Sequence, residues 1–193
     1  MGELKFFLGL QIKHGKDKIH IHQTKYIKDM LKKYNMHKSN EMSTLMYPNT
    51  VLDKNDESSP IDPTSYKGMI GSHLYLTSSR PDIMYSVCLC ARFQVNPQQS
   101  HFSAVKRIFR YLIGNGNLGL LYEKGSDCRL KGFCDTDYAG DRVERKSTSG
   151  GCHFLGNCLV SWTSKRQSTI SLSTTEAEYV AASSCCTQDK AST

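Results

Sequence analysis

The chain opens on alternation. Leu4 to Ile12 and Lys18 to His22 read as two extended segments joined by His14-Gly15-Lys16-Asp17, and in the second Ile19 and Ile21 face away from Lys18, His20 and His22, the period of a half-buried hairpin. The period then changes. Tyr26, Ile27, Met30, Leu31 and Tyr34 recur at helical spacing with Lys25, Lys28, Asp29, Lys32 and Lys33 on the other side, which predicts an amphipathic basic helix. Residues 39–63 hold Pro48, Pro60, Pro63 and the polar run from Asp53 to Ser59; they carry no period and predict an irregular connector. Helices are expected over Thr64–Thr77 and over Pro81–Gln94, the latter opened by a proline and turning Ile83, Met84, Val87, Cys88 and Ala91 inward. A third is expected from about Gln98, after the Asn96-Pro97 break, with Phe102, Val105, Phe109 and Leu112 inside and Lys106, Arg107 and Arg110 largely toward water. From Gly114 the pattern becomes short β-like runs, Leu118–Tyr122, Leu130–Asp135, Gly151–Leu155 and Cys158–Thr163, the last two meeting at a Gly156-Asn157 turn. The expected class is α+β: a hairpin and helices, then from near residue 115 a mixed sheet with a helix.

Composition changes this picture in three places. The 193 residues are 38% hydrophobic and 22% charged, enough for one good core or two small ones, and no apolar run approaches the roughly 18 residues of a membrane span. The N-terminal residues show no secretory signal, so an intracellular setting, cytoplasm or nucleus, is expected with no membrane partner. Eight cysteines lie mostly in apolar segments without C-x-x-C spacing and read as reduced core thiols. The net charge of +7 is uneven: residues 1 to 40 carry nine lysines against Glu3, Asp17 and Asp29, which suits a polyanion, although a solvated basic face has the same composition.

Candidate chemistry sits in the second half. In a strand from Leu130, Phe133 and Asp135 share one face and Gly132 and Cys134 the other, so Asp135 is expected on the packed side at the strand's end, where a carboxylate needs a cation, a turn or solvent. Ser173-Thr174-Thr175-Glu176 fits a capping box. Glu178 falls about 200° around the helix from Glu176 and beside Ala181, Ala182 and Cys185, an expected packed stripe. A strand-end Asp and a first-turn Glu can converge on a hard divalent cation, for which Mg2+ fits better than Zn2+, and a pair of such ions about 3.5–4 Å apart supports phosphodiester hydrolysis. An ordinary α+β domain with unrelated acids fits the same spacing.

The stretch GFCDTDYAGDRVERKSTSGGCHFLGNCLVSWTSKRQSTISLSTTEAEYVAAS, residues 132–183, closely resembles the ribonuclease H domain of copia-type retrotransposon Pol polyproteins. Upstream, GELKFFLGLQI, YIKDMLKKYNM and SRPDIMYSVCLCARF followed by HFSAVKRIFRYL resemble the reverse transcriptase tail of the same polyproteins and the connection after it. The resemblance implies a palm-end hairpin and thumb start over 1–38, a connector over 39–63, a helical connection over 64–114 and a truncated ribonuclease H-like domain over 115–193. Carried over by position, it implies catalytic, metal-binding roles for Asp135 and Glu178 with Mg2+ as cofactor. It also implies contact of Phe7, Leu8 and Gly9 with a primer strand; Lys165 and Arg166, just past the third strand, read either as facing phosphates or as a solvated loop. The implied partners are an RNA–DNA hybrid or other nucleic acid and the rest of the Pol polyprotein; Asp137 matches a family position whose role spacing does not supply.

Two features depart from the family. No adjacent Asp-Asp pair of a polymerase site occurs, and where the family continues with an apolar helical stretch and later ribonuclease H acids, this chain has Gln188-Asp189-Lys190-Ala191-Ser192-Thr193. The resulting expectation is a fragment of a Pol polyprotein without turnover of its own. The alternative is a non-enzymatic nucleic-acid-binding module built on the lysine-rich first forty residues with Lys106, Arg107 and Arg110.

Overall fold

The computed structural model describes residues 3–46, 52–53, 58–125, 129–141 and 144–191, the side chains of 188–191 excepted. The chain divides into two compact units, residues 1–120 and 121–193. The described residues are α+β, with two antiparallel sheets, where a mixed sheet was expected in the second half, and five α-helices.

β1 (Phe6–Phe7), β2 (Leu10–His14) and β3 (Lys18–His22) pair in order, Ile12 opposite Ile21, and β4 (Gly119–Glu123), which begins at the end of the first unit and was expected in the sheet of the second half, instead completes a four-stranded sheet with them. The extended run expected from Leu4 to Ile12 is interrupted. Leu8 and Gly9 take φ of +47° and +79° and fold the chain back between β1 and β2. A left-handed leucine is costly by itself; here Tyr75 Oη donates to the Leu8 carbonyl at 2.6 Å, and Gly9 admits the phenol, which a Cβ would overlap. Leucine reads as a strand residue in any periodic pattern, which is why the turn escaped the sequence.

α1 (Thr24–Lys33) buries Ile27, Met30 and Leu31, as its period requires, and ends with Lys32 and Lys33 beside its negative pole. α2 (Pro63–Leu76) starts on Asp62, whose carboxylate accepts the Thr64 and Ser65 N–H groups at 3.2 and 2.9 Å. The single helix expected over Pro81–Gln94 is instead a 3-10 turn, Pro81–Ile83, leading into a shorter α3 (Met84–Ala91). The turn is tightened by Arg80, fully buried, which forks onto Asp82 with Nε–Oδ1 2.9 Å and Nη2–Oδ2 2.7 Å and donates from Nη1 to the Asn115 carbonyl at 2.8 Å. α4 (Gln99–Gly114) starts at Gln98, whose N–H donates to His101 Nδ1 at 3.0 Å.

These helices share one apolar cluster that includes Ile27, Tyr66, Ile70, Val87, Ile108 and Phe109, and it also encloses His73, whose ring lies 4.2 Å from that of Phe109. Arg107 and Arg110 do not simply face water. Arg107 Nε donates to the Thr44 carbonyl at 3.1 Å and Arg110 Nε to the Asn40 carbonyl at 2.7 Å, so both fasten the start of the connector; its residues 47–51 and 54–57 lie outside the described residues.

In the second unit β5 (Leu130–Thr136), β6 (Thr148–Leu155) and β7 (Cys158–Arg166) form a three-stranded meander, turned at Gly156, and α5 (Thr174–Ala191) packs on β5 and β6. Its buried side chains are Ala177 and Ala181 with Ser147, Thr148, His153, Gln167 and Ser171, so the large apolar cluster belongs wholly to the first unit. The cysteines are corrected accordingly. Among the described residues only Cys90 is buried; Cys88, Cys152, Cys158 and Cys185 are half-buried and Cys134 and Cys186 exposed, because all of these but Cys88 belong to the second unit, which has no large apolar core, and Cys128 lies outside the described residues. Among the described residues no helix is long and apolar enough to cross a membrane.

Candidate functional site

Strand register decides where the two candidate carboxylates point. Gly132 stands opposite His153, Cys134 opposite Gly151 and Thr136 opposite Ser149. This is the face that α5 covers, since Cys185 Sγ lies 3.5 Å from His153 Nε2 and Gln167 Nε2 donates both to Ser149 Oγ and to the Ala177 carbonyl at 2.9 Å. Alternation places Phe133 and Asp135 on the other face. The sequence expectation that Asp135 points toward packing is corrected: Phe133 is 57% exposed, Asp135 is exposed, and Asp135 Oδ1 accepts its neighbour Thr136's N–H at 2.8 Å. Glycine and cysteine let a helix approach closely, whereas Phe133 would hold it off.

On α5 the expected cap forms with a shift. Ser173 Oγ accepts the Glu176 N–H at 3.1 Å, and Glu176 Oε2 accepts the Leu172 N–H at 2.7 Å, one residue before the cap itself. The packed stripe runs through Ala177 and Ala181, at 0% and 3% exposure, while Glu178 and Ala182 are exposed. Glu178 is thereby moved off the buried face. One residue of helix is about 100°, and small residues on both sides of Glu178 left its rotation undetermined in the sequence.

The backbones bearing the carboxylates nevertheless come together. Gln167 Nε2 lies 3.4 Å from Thr136 Oγ1 and 2.9 Å from the Ala177 carbonyl, so the residue after Asp135 and the residue before Glu178 meet on one side-chain amide. Gln167 Oε1 accepts from Ser171 Oγ at 3.1 Å, and the Gln167 N–H donates to the Ser147 carbonyl at 2.8 Å. Sequence reasoning missed this residue, for an isolated glutamine after a strand has no periodic signal. Gln167→Met, which keeps the volume and strips the amide, should destabilise the second unit by about 2–3 kcal/mol, because several buried polar groups lose their partner at once. Chemical denaturation followed by the Trp162 fluorescence measures it, and an unchanged midpoint would refute the assigned role.

Asp137 acquires a structural role. Its Oδ1 accepts the Thr148 N–H, its own N–H donates to the Thr148 carbonyl at 3.1 Å, and Gly140 leaves room for the carboxylate that any Cβ there would overlap. Arg166 is likewise engaged. Its Nη1 lies 2.8 Å from Asp141 Oδ2 and 3.0 Å from Glu144 Oε1, and the hydrogen bond to Asp141 holds its proton more tightly than usual. Lys165 is exposed and lines a groove of about 390 Å³ with His153, Gln167, Ala181 and Cys185. Phe7 and Leu8, 54% and 77% exposed, stand with Gly9 at the tip and flank of the first hairpin, in the other unit.

Mg2+ demands near-octahedral oxygen ligands at about 2.0–2.1 Å. Among the described residues no three His, Cys, Asp or Glu side chains form a group able to hold a metal ion. Two exposed carboxylates, one on the sheet face away from the helix that carries the other, do not fit a Mg2+ site by themselves.

Known proteins are similar to this chain over most of its length. The retrovirus-related Pol polyprotein from transposon RE1 of Arabidopsis thaliana is 40% identical over 177 residues, covering 92% of this chain and 12% of that protein. The retrovirus-related Pol polyprotein from transposon TNT 1-94 of Nicotiana tabacum is 37% identical over 191 residues, 94% of this chain and 14% of its own length. An uncharacterized mitochondrial protein of Arabidopsis thaliana, AtMg00810, is 37% identical over 179 residues, 93% of this chain and 74% of its length. No protein-family model and no solved structure matches the chain. The chain thus spans only 12–14% of the length of the two Pol polyproteins, yet it aligns with them over 92–94% of its own. On this similarity the chain belongs to the Pol polyprotein family of copia-type retrotransposons.

Proposed function

We propose that the chain carries the end of a reverse transcriptase with its connection, residues 1–114, and the opening part of a ribonuclease H-like domain, residues 115–193, and that by itself it turns over no substrate. The observation supporting the second assignment is the Gln167 amide, which ties the residue after Asp135 to the residue before Glu178 and so holds the two acid-bearing backbones in a fixed relation. In this reading Asp135 and Glu178 are two of the ligands that a Mg2+-dependent site in a longer polyprotein would draw on. Phe7, Leu8 and Gly9 present an apolar hairpin tip to a primer strand, and Lys165 faces phosphate. The setting is intracellular, where an RNA–DNA hybrid forms. The test is cleavage of an RNA–DNA hybrid with Mg2+ by this chain, by Asp135→Asn and by Glu178→Gln. The expected result is no cleavage above background in any of the three; strong activity in the parent, lost in both variants, would overturn the claim that the chain alone is inactive.

One observation favours a second reading, a nucleic-acid-binding module without chemistry. In the first unit an open depression of about 510 Å³ is lined by Lys38, Lys106, Arg107 and Arg110 together with Ser39 and Ser103. The hydrogen bonds of the arginines to Thr44 and Asn40 fix part of this cationic surface in advance, and Lys106 Nζ stands 4.3 Å from the centroid of the Phe102 ring. If these cations meet phosphates, affinity for a hybrid should fall about a hundredfold over a fourfold rise in salt, as release of counterions from three or four contacts requires. A flat salt dependence would exclude this surface as a nucleic-acid site.

A further inference from the structure

Outside the acid pair, one cluster combines a nucleophile, a base and an opening. Cys185 lies one turn beyond Ala181 on the stripe of α5 that faces the sheet, and its Sγ is 3.5 Å from Nε2 of His153, a residue 4% exposed on β6. Both line the groove of about 390 Å³, so the sulfur is shielded on the helix side and reachable from the groove. The other titratable groups on that groove are Cys134 from β5 and Lys165 and Arg166 from β7, and no carboxylate lines it among the described residues. Arg166 is committed to Asp141 and Glu144, which leaves the Lys165 ammonium as the net charge of the groove wall. A thiol beside an imidazole under a positive charge is the environment that favours thiolate, the nucleophilic form.

We propose that Cys185 is a reactive, modifiable thiol and that His153 is the base that activates it. In the tautomer with its proton on Nδ1, His153 accepts the Cys185 proton at Nε2. Toward hydrogen peroxide, the thiolate sulfur attacks one oxygen and the O–O bond breaks; the sulfur is oxidised to a sulfenic acid, and the leaving hydroxide takes the proton from the imidazolium to become water. Toward an alkylating agent such as iodoacetamide, the sulfur forms a bond to carbon and iodide leaves. This assignment stands apart from the reading of the acid pair, since it needs neither metal nor nucleic acid.

Accessibility and activation predict opposite orders of reaction, which makes the test direct. Cys134 and Cys186 are exposed, Cys185 only half-buried. The full chain is treated with limiting iodoacetamide near pH 7 and the labelled cysteines are quantified by peptide mass spectrometry. The expected result is that Cys185 is labelled about tenfold faster than Cys186, and that His153→Gln brings it down to or below the Cys186 rate with the circular dichroism spectrum retained. Labelling of Cys185 slower than or equal to that of the exposed cysteines in the parent, or an unchanged rate in a folded His153→Gln, overturns the proposal. Should that variant unfold, the parent supplies the second arm: the rate at Cys185 should reach its plateau at a lower pH than the rate at Cys186, and coincident profiles would overturn it.

Discussion

Replacing Arg80 with methionine is expected to destabilise the first unit by about 3 kcal/mol, and replacing Asp82 with asparagine by at least as much. The guanidinium is desolvated, with 1% of its side chain exposed, and its charge is offset by a two-pronged bond to Asp82. Breaking such a pair by removing one partner costs about 3–5 kcal/mol, since it strands the other charge. The two partners are not equivalent. Asp82 is 30% exposed and keeps the Tyr111 hydroxyl as a donor at 3.0 Å, so when Arg80 is lost water can hydrate what remains. When the Asp82 charge is lost, Arg80 stays buried between Asn115 and the Tyr111 ring without a counter-ion. The more exposed partner is thus the more damaging one to neutralise, even by an isosteric change. Urea midpoints followed by helical circular dichroism separate the cases, and a mild Asp82→Asn beside a severe Arg80→Met would show that packing of the arginine stem, not charge, sets the cost.

The second large effect is loss of stability in mild acid. His73 is wholly enclosed by the helical core, and burial pushes its imidazole down to about 3, while burial also lowers His22 and His20. In the unfolded chain a histidine titrates near 6.5. Between those values the unfolded state binds a proton that the folded state refuses, so the stabilisation is complete above about pH 6.5 and declines as pH falls toward 3. His73 alone contributes a slope of about 1.4 kcal/mol per pH unit in that window. Denaturation midpoints of the first unit should therefore drop steadily from pH 6.5 to pH 4.5, and His73→Leu should flatten the decline although it changes no charge at neutral pH. A decline of the same steepness in that variant would mean that other groups govern it.

Helices α1 and α4 were legible because a strong apolar stripe at helical spacing has one good solution, burial of that stripe. The short β1 was not, because its boundary depends on a leucine in a left-handed turn secured by Tyr75, a residue 67 positions away. The start of α3 was placed too early for a related reason: the Arg80–Asp82 pair spends the first residues of the expected helix on a tight ionic turn. In the candidate site the two acids were singled out, Asp135 through its unusual place at a strand end and both through the resemblance. Their orientation was not, because it follows from which face of β5 the helix accepts and from a rotation of α5 by one residue. Gln167, which couples them, connects strand, loop and helix through contacts that no sequence period records.

The unequal distribution of apolar packing has a consequence for synthesis. All sixteen members of the buried cluster, from Ile27 to Leu112, precede the first residue of β5. At about 5–20 residues per second, translation needs several more seconds to deliver the meander and α5, whereas helical bundles rich in near-neighbour contacts assemble in microseconds to milliseconds. The apolar cluster can therefore assemble while the meander and α5 are still being made.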